Sequence, residues 1–417
     1  VYTGTGPYIA VTKITGTFDT THSLTVPGPI TVGTATALTT FLNAQTKAQY
    51  RAAAADVYRA LIAAVPGSGA VTGVVGMVFS GANQVYAFRP NAGNTAVAIY
   101  KATTSGWTLV PFYNIVSFTA GGATEPADGT TLTQGGVTAT IKRVMSQSGI
   151  WASNTGAGQF VVTNPAGGNF AAGAATIGGI NVTLSGVQTA ITLAVGGRFE
   201  FVKCNFSGQA VTRRIYGCDG VNKCFEFDGD TLAPITTGLP TDAPSHIAFH
   251  KNYLFVSYAS SLIHCGVGFP FKWSTTDGGG EIATGDVVNG MITLPGDQTS
   301  AAMAVLLHGN TAILYGTDPT TFNYVALNTG VGALAYSIQN LFDTFVLDDF
   351  GVITLRTTLN YGNFSPSTLT RNILPFIIQE RGKLTASLTN RLKSQYRLFF
   401  SDGYGLYSTI INQQYLG

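Results

Sequence analysis

Asp219, Asn222, Asp228 and Asp230 crowd one short stretch, Cys218–Asp230 (CDGVNKCFEFDGD), the densest set of hard oxygen donors in the chain. Such donors bind Ca²⁺, but the run lacks EF-hand spacing and has no Glu at the twelfth position. The competing reading is that Asp-Gly at 219–220 and 228–229 makes hairpin turns, because this dipeptide between β-runs is a strong hairpin signal. His246 and His250 lie on one apolar run that reads as a strand. Their even spacing puts them on one face, about 13 Å apart and too far for one metal ion. These two are expected to be neutral, hydrogen-bonded strand side chains; the remaining histidines are His22, His264 and His308. Cys204, Cys218, Cys224 and Cys265 contain no CxxC pair; they read as reduced, partly buried strand thiols, with a disulfide or metal site as the alternative. There is no GxSxG, HExxH or Walker loop, and Gly278–Gly280 neither follows a strand nor opens a helix. No catalytic residue, metal ligand or cofactor is assigned.

Charge points to surfaces rather than to chemistry. Cations collect late, at Arg371, Arg381, Lys383, Arg391, Lys393 and Arg397, and acids at Asp343, Asp348 and Asp349. If copies pack in a ring, these patches meet across the interface; otherwise they are two unrelated solvated faces. Aromatics suited to base stacking are not interleaved with the cations, which disfavours nucleic-acid binding there. Charged residues are only 10% of the 417, hydrophobic ones 45%, and the net charge is +2. A surface that poor in charge suits burial against neighbours, and a near-zero net charge gives no field that draws in nucleic acid. No apolar run is long enough to span a membrane. The chain opens at Val1 with no visible secretory signal; because Val1 is not Met, processing or further preceding residues are expected.

The elements that carry these residues repeat. An apolar β-run, a Gly/Asp/Asn turn and a second β-run recur from about Gly197, Ser245, Ser300, Asp343 and Ser394. A period of roughly 40–50 residues with several strands per unit is the signature of a β-propeller. The expected fold is all-β, a propeller of about five to six blades closed by N- and C-terminal strands, with an inserted small β-domain and one N-terminal helix. Residues 1–70 supply a strand (Tyr8–Phe18) and a helix within Ala37–Val65, where Tyr50, Ala54, Val57, Tyr58, Leu61 and Ile62 recur at helical spacing before Pro66-Gly67. Residues 71–112 read as a first four-stranded blade. Residues 113–196 are Gly-, Ala- and Thr-rich with alternating runs (VTATIKRV, GQFVVTN), an inserted barrel or short sandwich. Residues 197–417 hold the remaining blades. The last repeat has only two or three strands, so Tyr8–Phe18 is the expected donor that completes it.

Two stretches resemble the tail nozzle (tail tubular) proteins of short-tailed bacteriophages. One is the helix and Pro-Gly followed by VTGVVGMVFSGANQVYAFRPNAGNTAVAIYKATTSGWTLVPF. The other is TDAPSHIAFHKNYLFVSYASSLIHCGVGFPFKWST, with its aromatic element Phe269, Pro270, Phe271 and Trp273. The resemblance spans about residues 40–112 and 197–360 and is one of pattern. It implies a structural protein of the virion tail, not an enzyme: a homohexameric tube below the portal and an adaptor (head-to-tail connector) ring, near tail fibre or spike proteins. Duplex DNA would pass through in transit without specific binding. Subunit contacts are then expected at Phe269, Phe271 and Trp273 and at the basic and acidic patches. The alternative is a carbohydrate-binding or receptor-binding tail propeller, which needs paired carboxylates facing one groove.

Overall fold

A computed structural model describes residues 21, 23–26, 30–34, 52, 56, 62–294, 301–329, 331–349, 351–357, 364–368 and 370–409. The chain divides into two compact units: residues 1–65 with 103–107, and residues 66–102 with 108–417. In the first, Ser23–Val26 pairs antiparallel with Ile30–Thr34, and Trp107 Nε1 donates to the Ala63 carbonyl at 2.9 Å. The expected strand Tyr8–Phe18 lies outside the described residues, as does most of the expected helix; Ala52 and Asp56 within it are helical.

The second unit is all-β, with one short α-helix among the described residues, and its sheets form a six-bladed propeller. Blade one is Gly73–Phe79, Ala82–Pro90, Val97–Thr103 and Gly106–Leu109, of which residues 103–107 are counted with the first unit. Blade two is Glu200–Cys204, Arg214–Cys218, Phe225–Phe227 and Leu232–Pro234. Blade three is His246–His250, Tyr253–Tyr258, Ser261–His264 and Gly280–Ala283. Blade four is Val288–Thr293, Met303–Leu307, Asn310–Tyr315 and Asn323–Thr329. Blade five is Gln339–Asn340, Thr344–Asp348, Gly351–Thr357 and Phe364–Thr368. Blade six has three described strands, Leu384–Asn390, Gln395–Phe400 and Gly405–Thr409. Each blade is antiparallel in sequence order.

Burial explains the sequence pattern. The second strands Met303–Leu307 and Thr344–Asp348 are buried at every position. A strand covered on both faces by neighbouring blades reads as a continuous apolar run rather than an alternation. Aromatic rings fill the wedges between blades. Phe88 of blade one meets Phe201 and Phe225 of blade two at 5.0 and 5.8 Å, and Phe345 of blade five stacks on Tyr396 of blade six at 5.4 Å. The first strands are also stapled by polar side chains. Thr293 Oγ1 donates to the Phe249 carbonyl, Asn340 Nδ2 to Thr293, and Gln339 Nε2 to Ser387. These bonds satisfy backbone groups that the blades leave unpaired along their inner edges.

Alternating strand direction fixes two faces. Turns joining first to second and third to fourth strands emerge on one face, here the turn face. Second-to-third turns and the links between blades emerge on the other, the link face. The link between blades five and six carries the helix Leu374–Glu380, with Pro375 in its first turn, where a missing N–H costs nothing.

The link between blades one and two is expanded into a domain. Asn114–Ala120, Thr131–Gln134, Val137–Ser148, Ala157–Val162, Gly173–Ile177 and Ile180–Leu184 form one antiparallel sheet. Asn114–Ala120 pairs with both Ala157–Val162 and Ile180–Leu184, so the sheet closes into a six-stranded barrel. The barrel has its own core, in which Phe118 stacks on Phe160 at 4.2 Å beside Trp151 and Phe170.

Candidate functional site

Two polar constellations stand out in the second unit. The first lies where the first strands converge on the propeller axis. Glu200 opens blade two's first strand and His246 opens blade three's; His246 Nδ1 lies 3.0 Å from Glu200 Oε2. Tyr336 enters from the segment leading to blade five. The Arg198 guanidinium stacks on its ring at 3.6 Å, and the His246 ring lies 5.8 Å from it. Blades two and five are opposite members of a six-membered ring, so Arg198 and Tyr336 meet across the axis. Tyr336 is held in the left-handed region (φ 67), which a bulky side chain adopts only under constraint, and Ser387 Oγ donates to its carbonyl at 2.6 Å. Burial, reinforced by the Glu200 carboxylate, pushes the Tyr336 phenol up to about 12, so it stays protonated at neutral pH.

The second constellation clamps the barrel to the propeller. Glu226, on blade two's third strand, is 2% exposed. It accepts from Arg143 of the barrel at 2.6 and 3.3 Å and from Tyr216 Oη at 2.6 Å, with Arg214 Nε at 3.5 Å. Burial and then the Glu226 carboxylate raise the Tyr216 phenol far above its ordinary value. Beside the clamp, Lys142 Nζ pairs with Asp230 at 2.7 Å and Lys272 Nζ donates to the Gly149 carbonyl at 3.4 Å. Met145 and Val161, on the barrel's outer surface, join the core of blades one to three. Apolar contact and buried charge together fix the barrel in place.

Asp219 accepts the Val221 and Asn222 N–H groups, and Asp228 accepts those of Asp230 and Thr231; both make turns. Among the described residues no group of three or more His, Cys, Asp or Glu is placed to hold a metal. All four cysteines are free and buried, and burial raises each thiol, that of Cys265 to about 12, so none is a thiolate near neutrality. The expectation of hydrogen-bonded histidines is corrected at His250. Both its ring nitrogens are buried without a hydrogen-bond partner, because the ring sits against Phe255 in apolar packing, and burial lowers its pKa to about 4. Gly278 and Gly279 close the loop behind Trp273, and a Cβ at Gly279 would stand 2.2 Å from the Trp273 carbonyl oxygen.

Of the aromatic element, only Phe269 is exposed; Phe271 and Trp273 are core residues, the Trp273 indole donating to the Pro270 carbonyl at 2.8 Å. Arg381 pairs with Asp349 at 3.0 Å within the chain. Lys383 pairs with Glu380 at 3.0 Å and Asp402 at 2.8 Å. Asp348 is buried, and Asp343 accepts the Thr344 N–H at 2.8 Å. Arg371 opens a single 3-10 turn ahead of the helix. Arg391 and Lys393 project on the turn face of blade six, flanking a fully exposed Leu392. The Glu226 clamp escaped sequence reading because its partner Arg143 is 83 residues away.

No protein-family model matches the chain, and no curated protein matches its sequence. Among solved structures, PorZ, a surface component of the type-IX secretion system of Porphyromonas gingivalis, is 10% identical with a TM-score of 0.33, over 78% of this chain and 49% of that one. Streptogramin B lyase is 10% identical with a TM-score of 0.31, over 68% of this chain and 89% of that one. The extracellular domain of a one-component system protein of B. thetaiotaomicron is 10% identical with a TM-score of 0.30, over 82% and 55%. The chain thus spans about half the length of the first of these. Likeness at this level does not extend to activity or ligands.

Proposed function

We propose that this chain is a structural protein of a short-tailed phage virion, a tail nozzle whose copies assemble into a homo-oligomeric tube, a hexamer, extending the DNA exit channel below the portal and adaptor. The observation that carries the reading is the character of the surface. Lys142, Arg143, Lys272, Arg381 and Lys383 are all engaged in ion pairs within the chain. Meanwhile Ile150, Val211, Phe269, Leu392 and Tyr404 are exposed. Such a surface favours being covered by protein over being wetted. A net charge of +2 also suits a wall past which duplex DNA slides, since each phosphate neutralised would add salt-sensitive affinity that slows transit.

The adaptor ring and tail fibre or spike proteins are the proposed further partners, and the virion tail the proposed location. Sedimentation and electron microscopy of the purified protein, alone and with a candidate adaptor ring, test the reading. The expected result is a closed ring of copies that caps the adaptor. A stable monomer that binds or cleaves polysaccharide overturns it.

A further inference from the structure

Arg391, Leu392 and Lys393 form the tip of the turn between blade six's first two strands. The tip is preorganised: Asn390 accepts the Lys393 N–H at 3.2 Å, and Ser394 closes the turn in the left-handed region at φ 48. Leu392 is 100% exposed, and among the described residues neither flanking cation has an acidic partner. The acids expected to answer them are engaged elsewhere, Asp349 with Arg381 and Asp348 in the interior.

A complementary surface exists on the far side of the ring. Glu281, on blade three's outermost strand, and Asp286, in the link to blade four, are both exposed, and the adjacent Val287 is 53% exposed. Glu281 accepts only from Ser261 Oγ and Asp286 only from the Val287 N–H, so among the described residues no cation answers either carboxylate. The two surfaces share a design, an apolar side chain beside two like charges, and their signs are opposite.

Their placement follows from the topology. The basic tip leaves the turn face of blade six. The acidic surface lies at the link face between blades three and four, about half the ring away. We infer that the Arg391-Leu392-Lys393 tip of one copy docks on the Glu281, Asp286 and Val287 surface of the next. Opposite faces on opposite sides cannot form a two-fold dimer; the contact is head-to-tail and generates a closed ring or an open filament. This rests on the proposed function and names the interface that the tube would use. The apolar side chains supply burial, and the paired charges select register and partner.

Charge reversal tests it. Arg391→Glu with Lys393→Glu makes both surfaces acidic, and Glu281→Lys with Asp286→Lys makes both basic. Each double variant should keep the wild-type circular dichroism spectrum yet need roughly tenfold or more protein to assemble, read by sedimentation velocity. An equimolar mixture of the two, and a chain carrying all four changes, should assemble again. Wild-type protein that assembles while Arg391→Glu/Lys393→Glu assembles equally well overturns the interface but leaves the nozzle reading standing. Loss of assembly in both variants without rescue in the mixture also overturns it. Wild-type protein that stays monomeric removes the nozzle reading itself.

Discussion

His250 ends blade three's first strand with a buried, neutral ring whose pKa is lowered to about 4, chiefly by burial and then by Lys251. Unfolded, the same ring titrates near 6.5. Between those values the unfolded chain takes up a proton that the folded chain refuses. Stability is therefore complete above pH 6.5 and falls as pH drops toward 4, by up to about 3 kcal/mol. His250→Phe should flatten this part of the pH–stability curve, measured by urea unfolding; an unchanged slope would exclude His250 as its source. Glu226 makes the complementary case. Glu226→Ala leaves Arg143 and Arg214 facing an apolar gap, and we expect a loss of roughly 2–4 kcal/mol. A loss under about half a kcal/mol would mean that the clamp is ornamental. The two sites also mark what could be read at this scale. The turn roles of Asp219 and Asp228 were legible because Asp-Gly acts on its own backbone. The Glu226 clamp was not, since no local signal joins a strand of blade two to the middle of the inserted domain.

At the level of elements, the repeat of blades was visible where a sandwiched second strand such as Met303–Leu307 reads as an unbroken apolar run. The inserted domain was visible through its alternating runs. The choice between barrel and short sandwich was not, because it depends on Asn114–Ala120 pairing on both of its edges at once. The helix Leu374–Glu380 was missed: seven residues are too few for a periodic signal. The aromatic element at 269–273 reads as a contact surface, yet Phe271 and Trp273 are drawn inward and only Phe269 stays outside. Since the barrel owns a separate core, the fragment 113–191 is expected to fold alone, with a sigmoidal thermal transition by circular dichroism. A broad, featureless melt would mean that Met145 and Val161 need the propeller beneath them.

For the whole molecule, closure of the ring decides stability. Blade six has three described strands, ending at Gly405–Thr409, while every other blade has four. If the N-terminal strand completes it, deleting residues 1–20 should lower the melting temperature by roughly ten degrees or more. A shift of a degree or two would assign closure to another segment. The low charge was plain from composition, but which charges remain unanswered depends on pairings between distant parts of the chain. Arg381 with Asp349 is one such pairing, between residues 32 apart in the chain. Arg198 and Tyr336 act as a spoke through the hub of the wheel, joining the approaches to opposite blades. If copies assemble into the proposed tube, the lumen they enclose, rather than the spoked hub of one wheel, is the expected path for DNA, and its width is then set by the number of copies.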